Sequence, residues 1–310
     1  MGRLKQGVRY FLSFIPIICS VWILQSCIKD NLTHCVNEPL QLVVKVVDVV
    51  TGNDITETGE LEEASLYLYD QHGYCIKVYT LTASQIKERQ PVFITEPDRE
   101  GMIVSAWGNL GNELDISDIE EGEPGDYFKI TLSRDPENEA FNRGLNDFFF
   151  SAHHMDEQQA SERIQEVVLT QKNAKLHITV RGIQDIAEED LWFKLTNRYN
   201  GYGYKGVPLR TSSSRKEKGG FNSNNEYVSK DSYLLIHSAN QKQASADNSL
   251  TIALYNREEE MVVTNRDTGG NYITLVSGKT TNVLIDISKG IFEVYMIVTP
   301  WNEIHQWETW

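Results

Sequence analysis

The stretch "SAHHMDEQ" at residues 151–158 holds the densest set of side chains able to do chemistry: His153, His154 and Asp156. Imidazole nitrogens beside a carboxylate suit a divalent transition metal, and a metal there would point to a hydrolase. The spacing argues otherwise. No His-x-x-x-His repeat puts two imidazoles on one helical face, and no third ligand stands out elsewhere. A solvated loop after the apolar run "NDFFFSA" is the reading these residues favour. His177 in "KLHIT" and His237 in "LLIHS" alternate with apolar neighbours and read as satisfied side chains of a sheet. The acidic run "ISDIEEGEPGD" (116–126) offers oxygens to calcium but lacks the EF-hand order. There is no Gly-x-Ser-x-Gly elbow, no phosphate-cradling glycine loop and no dinucleotide fingerprint. A carboxylate pair for glycoside hydrolysis depends on spacing in three dimensions, and nothing in the sequence points to one. The expectation is a protein that is not an enzyme, with no catalytic residue, metal or cofactor.

Aromatic residues allow a binding role instead. "NRYNGYGYKG" (197–206) sets Tyr199, Tyr202 and Tyr204 between glycines. They form either an exposed platform for sugars or a set of strand and turn aromatics packed on a sheet.

Cys27 is placed for a different chemistry. Arg3, Lys5 and Arg9 precede any acidic residue, and residues 11–24 form an apolar run too short for a comfortable membrane span. That is an export signal. It ends in Leu24-Gln25-Ser26-Cys27, which resembles a bacterial lipobox, where the cysteine becomes the first mature residue and carries lipid. Several acyl chains, at about 0.8 kcal/mol per buried methylene, would hold the chain at a membrane. Lys29-Asp30 resembles the short signal that sends Bacteroidetes lipoproteins to the outer face of the outer membrane.

The formal charge of −15 falls to −18 once Arg3, Lys5 and Arg9 leave with the signal. An acidic surface with dispersed cations repels nucleic acid, so no nucleic-acid partner is expected. After maturation only Cys35 and Cys75 remain as thiols, in an oxidising compartment, and they are the candidate pair for a disulfide.

The elements that must position these groups are strands. "LQLVVKVVDVV" (40–50), "ASLYLYD" (64–70), "CIKVYTL" (75–81), "MIVSAWG" (102–108), "YFKITLS" (127–133) and "IQEVVLT" (164–170) are rich in β-branched and aromatic residues and are separated by turn residues. The pattern restarts at "KLHITVRGI" (175–183) and "LWFKLTN" (191–197). It continues through "YLLIHSA" (233–239), "LTIALYN" (250–256), "MVVTNRD" (261–267), "NYITLVS" (271–277), "TNVLIDI" (281–287) and "IFEVYMIVTPW" (291–301). One short helix is expected within 82–90, and 211–227 reads as a long exposed loop. The fold class is all-β. The organisation is a lipoprotein signal (1–26), a lipidated tether (27–38) and two tandem β-sandwiches (39–172 and 173–310) joined too closely to swing freely.

Several of these stretches together resemble the FimB-type fimbrial anchor lipoproteins of Bacteroidetes. They are "CIKDNLTHC", "DITETGELEEASLYLYDQHGYCIKVY", the Ala106-Trp107-Gly108 strand, "NDFFFSA" and the terminal Val298-Thr299-Pro300-Trp301. The resemblance implies transthyretin-like sandwiches and partners that are other fimbrial subunits, or pilins. It also implies assembly by strand exchange, in which a strand of one subunit completes the sheet of another. An anchor of this kind would sit at the outer membrane through its lipid and terminate the pilus. The last strand either closes its own sheet or is the one most suited to exchange, as donor or acceptor, with Phe292, Val294, Met296 and Val298 expected on one face. The other reading is a surface glycan-binding lipoprotein that uses Tyr199, Tyr202, Tyr204 and the tryptophans.

Overall fold

The computed structural model describes residues 39–96, 99–111, 114–132, 147–183, 185–229, 233–235, 245–246, 249–301 and 303–308. In chain order the first strands are β1 (Leu40–Val46), β2 (Glu63–Tyr69), β3 (Cys75–Thr82), β4 (Val92–Ile94) and β5 (Ile103–Gly108). They are followed by β6 (Leu114–Ile116), β7 (Lys129–Leu132), β8 (Phe149–His154) and β9 (Ile164–Gln171). Two one-turn helices interrupt them, α1 (Ala83–Lys87) and α2 (Glu157–Ser161). Each opens on a reciprocal capping box, Thr82 with Gln85 and Asp156 with Gln159, which satisfies end amides that a helix this short cannot bond internally.

Strands β1 to β5, β8 and β9 form one seven-stranded sheet in the order β3-β2-β5-β8-β9-β1-β4. The β8–β9 joint is only two residue pairs long, Phe149 with Gln171 and Phe150 with Thr170. The sheet folds back there. Leu40, Leu42, Val44 and Val46 of β1 thereby meet Leu66 and Leu68 of β2 and Val104 and Ala106 of β5 in one buried cluster. The alternation of β1 is the expected imprint of a half-buried strand. Strand β5 is instead buried at every residue. Its second face, with that of β2, lies under another sheet.

The remaining strands are β10 (Ala174–Arg181), β11 (Leu191–Asn197), β12 (Gly201–Gly203), β13 (Pro208–Leu209), β14 (Ser213–Glu217) and β15 (Gly219–Phe221). They continue with β16 (Tyr227–Ser229), β17 (Tyr233–Leu235), β18 (Thr251–Asn256), β19 (Glu259–Thr264), β20 (Lys279–Asp286) and β21 (Glu293–Pro300). One sheet runs β15-β16-β10-β20-β21, with β17 also on β10, and faces a second sheet, β14-β11-β18-β19. Between them lie Leu176, Ile178, Val180, Val283, Ile285 and Val294 against Phe193, Leu195, Ile252 and Leu254, the arrangement of a β-sandwich.

The hairpin β12–β13 does not join this second core. It reaches back to β7 and completes a four-stranded sheet, β13-β12-β7-β6, over the outer face of β2 and β5. Tyr67, Tyr69, Trp107, Phe128, Phe148, Tyr202 and Tyr204 fill the layer between them. Gly201 is required there, because a Cβ would come within 2.1 Å of the Ile130 carbonyl.

Three sequence expectations are corrected. The supposed loop 211–227 carries β14, β15 and the start of β16, and its Arg215, Glu217 and Glu226 are buried. Arg215 and Glu217, two apart and therefore on one face, pair there. Their charge disguised a strand. Conversely "NYITLVS" forms no strand: Ile273 and Leu275 are core residues, held by Leu250 N donating to the Ile273 carbonyl at 2.9 Å. Third, α2 and Asp156 stand where a solvated loop was expected.

Candidate functional site

Strand β21 lies at the edge of its sheet. It pairs antiparallel with β20 over eight residues, from Glu293 opposite Asp286 to Pro300 opposite Lys279. Main-chain groups of successive strand residues point to opposite sides. Thr268 fixes which side is which: its amide donates to the Val294 carbonyl at 2.8 Å, and its hydroxyl accepts from the Val294 amide at 2.7 Å. Val294, Met296 and Val298 therefore direct their amides and carbonyls away from β20. Thr268 covers the first of these positions. Among the described residues no strand pairs with the other two.

Side-chain placement partly matches the expected face. Val294 is buried and Met296 packs against the second core, with Val298 half-buried. Phe292 departs from it: it precedes the strand and is 51% exposed. Tyr295 and Ile297 point outward and are also exposed, giving the edge an apolar flank.

The chain then turns back. Trp301 is buried, its indole donates to Asp147 at 2.9 Å, and the Lys175 ammonium lies 4.1 Å from its ring centroid. Residues 303–308 run over the outer face of the sheet. The His305 amide donates to Asn282 at 3.1 Å, and Arg181 donates to the carbonyls of Trp307 and Glu308, both at 3.0 Å. Glu226 accepts from the same guanidinium at 2.6 Å and so fixes its plane. A groove of about 620 Å³ lies between this tail and the sheet, lined by Arg181, Asp286, Tyr295, His305 and Trp307.

The other candidates resolve as structure. His153 and His154 are successive residues of β8 and point to opposite faces, while Asp156 caps α2. Among the described residues no group of three His, Cys, Asp or Glu side chains is arranged to hold a metal. Burial holds the His177 imidazole below its ordinary pKa, with Nδ1 3.3 Å from Ser229 Oγ. The same cause pushes the Cys75 thiol up; Cys75 is buried and forms no disulfide among the described residues. Leu24, Gln25, Ser26, Cys27, Cys35 and His237 lie outside the described residues.

The tyrosine platform is overturned. Tyr202 is fully buried and Tyr204 nearly so, within the layer of rings described above, and Tyr199 packs against it. Trp107 and Trp301 are buried too. Trp192 has Tyr255 of β18 stacked at 4.2 Å on one side and Lys216 of β14 over the ring at 4.3 Å on the other. Those two strands flank β11, so neither face of that indole is open to a sugar.

Sequence reading missed Arg181, Thr268 and Asp147. Each acts through a partner more than twenty residues away in the chain, so no local pattern marks it.

The chain matches the model of a family described as fimbrillin-A associated anchor proteins Mfa1 and Mfa2 over residues 34–307. The major fimbrium anchoring subunit FimB of Porphyromonas gingivalis strain ATCC 33277 is 22% identical over 332 residues, which takes in 98% of this chain and 99% of that one. The fimbrial anchor protein Mfa2 of Porphyromonas gingivalis shares the fold, with a TM-score of 0.59 at 11% identity over 85% of this chain and 97% of that one. A Bacteroides ovatus protein described as a candidate adhesin gives 0.61 at 12% identity over 85% and 94%. At such identities the structural likeness speaks to fold alone.

Proposed function

The chain belongs to the family of fimbrillin-A associated anchor proteins, and from that premise we propose that it is a lipid-anchored subunit holding a fimbrium at the outer membrane. The observation that carries this is the extent of the match, residues 34–307, directly behind the Leu24-Gln25-Ser26-Cys27 signal. Cys27 carries the lipid, residues 27–38 are the tether, and the remainder is two sandwiches over 39–172 and 173–310. The first two apolar clusters support that division, one drawing on residues up to Leu169 and the other starting at Ala174. Its partners are other fimbrial subunits, engaged by strand exchange at Val294, Met296 and Val298, and the lipid-held subunit terminates the pilus. Cys35 and Cys75 remain the proposed disulfide pair of the mature protein.

The test is a Cys27→Ala strain compared with wild type, with surface crosslinking and recovery of bound subunits. Wild-type cells should retain pilin-like β-sandwich proteins in a ladder, while the variant sheds them into the medium. Retention by the variant would refute the lipid anchor. Recovery of an outer-membrane transporter alone from wild type would favour glycan capture instead.

A further inference from the structure

Among the described residues only two strand pairs are parallel: β1 with β9, Gln41 opposite Ile164 to Val46 opposite Leu169, and β10 with β20. Strands β9 and β10 are also the two joined directly across Lys172 and Asn173, where the first core gives way to the second. An anchor is pulled, and this topology sets how a pull is borne.

We propose that the β1–β9 pair is a shear-loaded mechanical clamp that carries fimbrial tension between the membrane tether and the second sandwich. The inference rests on the anchor reading. Tension from the membrane enters at Leu40, the start of β1, because the tether (27–38) joins it through Pro39 alone. Tension from a bound subunit in the second sandwich reaches β9 at its opposite end, Gln171. In a parallel pair those two points draw the strands past one another along their length. The evenly spaced bonds of a parallel ladder then share the load and must break together, whereas peeling would break them one at a time.

The clamp is closed at both ends. Gln41 N donates to the Arg163 carbonyl at 2.8 Å, and Val47 N donates to the Leu169 carbonyl at 3.0 Å. On the outer face Lys45 reaches Glu166 across the pair at 3.1 Å. On the inner face Leu40, Leu42, Val44 and Val46 are buried in the first core, so sliding β1 by one residue would expose that whole row. Strand β4 holds the first three residues of β1 from the other side.

Single-molecule pulling of the mature chain tests this, since forced rupture reports the unfolding barrier directly. The chain from residue 27 is produced without its signal, so that Cys27 stays unlipidated, with Cys35→Ser as background, and one handle is attached at the Cys27 thiol. The other is attached through Ile297→Cys, which loads β1 and β9 from opposite ends, or through Ser161→Cys, just ahead of β9, which peels them from the same end. The first rupture should need several-fold more force with the handle at 297 than at 161, at the same loading rate. Equal forces, or an early low-force rupture in the 297 geometry from any element, would overturn the clamp. This readout on purified protein is independent of the Cys27→Ala shedding result, so the failure of one is distinguishable from the failure of the other.

Discussion

Lys172 is half-buried, with its ammonium set against aromatic rings. Burial pulls its ammonium down to about 8 from 10.5, and the charge sits 4.8 Å from the ring centroids of both Phe150 and Tyr202. A lysine held low in the folded state favours the neutral form, so its burial penalty is fully present below about pH 8 and fades as pH rises towards the unfolded value of 10.5. Lys172→Met should therefore raise the urea midpoint at pH 7 and lose that advantage by pH 10; a constant difference across this range would show that the amine is not desolvated. Tyr202→Ala provides a second residue-scale test. As a fully buried ring it should cost about 3–5 kcal/mol, the range for large aromatic truncations in cores. A sugar-binding tyrosine would instead cost affinity and leave stability unchanged.

At the scale of elements, β21 differs from the other sheet edges. Strands β4, β6, β13 and β15 are two or three residues long, β3 carries Lys77, β14 carries Lys216, and β19 opens on Glu259 and Glu260. Short or charged edges resist unwanted pairing. The eight residues of β21 open on a single Glu293, hold no Lys and no proline before Pro300, and among the described residues only Thr268 covers part of the edge. Proline substitution separates its two sides. Val298→Pro removes an outward amide and should barely move the urea midpoint, because edge strands tolerate proline there. Ile297→Pro removes an amide facing β20 and should lower the midpoint clearly. If the edge accepts a subunit strand, Val298→Pro should also abolish pilin recovery from a folded protein.

For the whole molecule, the hairpin β12–β13 decides how many cooperative units exist. It brings Tyr202 and Tyr204 into a ring layer shared with Tyr67, Tyr69 and Trp107, more than ninety residues away in the chain. Unfolding either part alone would open that layer, so calorimetry should show one transition. Gly201→Val places side-chain atoms against the Ile130 carbonyl, lifts the hairpin, and should split the transition in two. A single transition in the variant would mean that other contacts couple the parts.

Period-two alternation and β-branched composition sufficed to identify most strands, the all-β class and the restart near residue 174, because each strand advertises its own buried face. The one short stretch expected to be helical, 82–90, holds α1. The proposed export signal and lipobox rest on local pattern too, and on the sequence alone. What local pattern could not supply was the second burial of β2 and β5, whose tyrosines and tryptophan face a sheet built partly by distant residues. Nor could it reveal the buried Arg215–Glu217 pair, since charge in sequence reads as solvent exposure until a partner is brought near. The return of the tail to Arg181 and the parallel register of β1 with β9 were equally hidden. Pairing between remote strands depends on which edges meet once the cores have formed, and only the tertiary structure decides that.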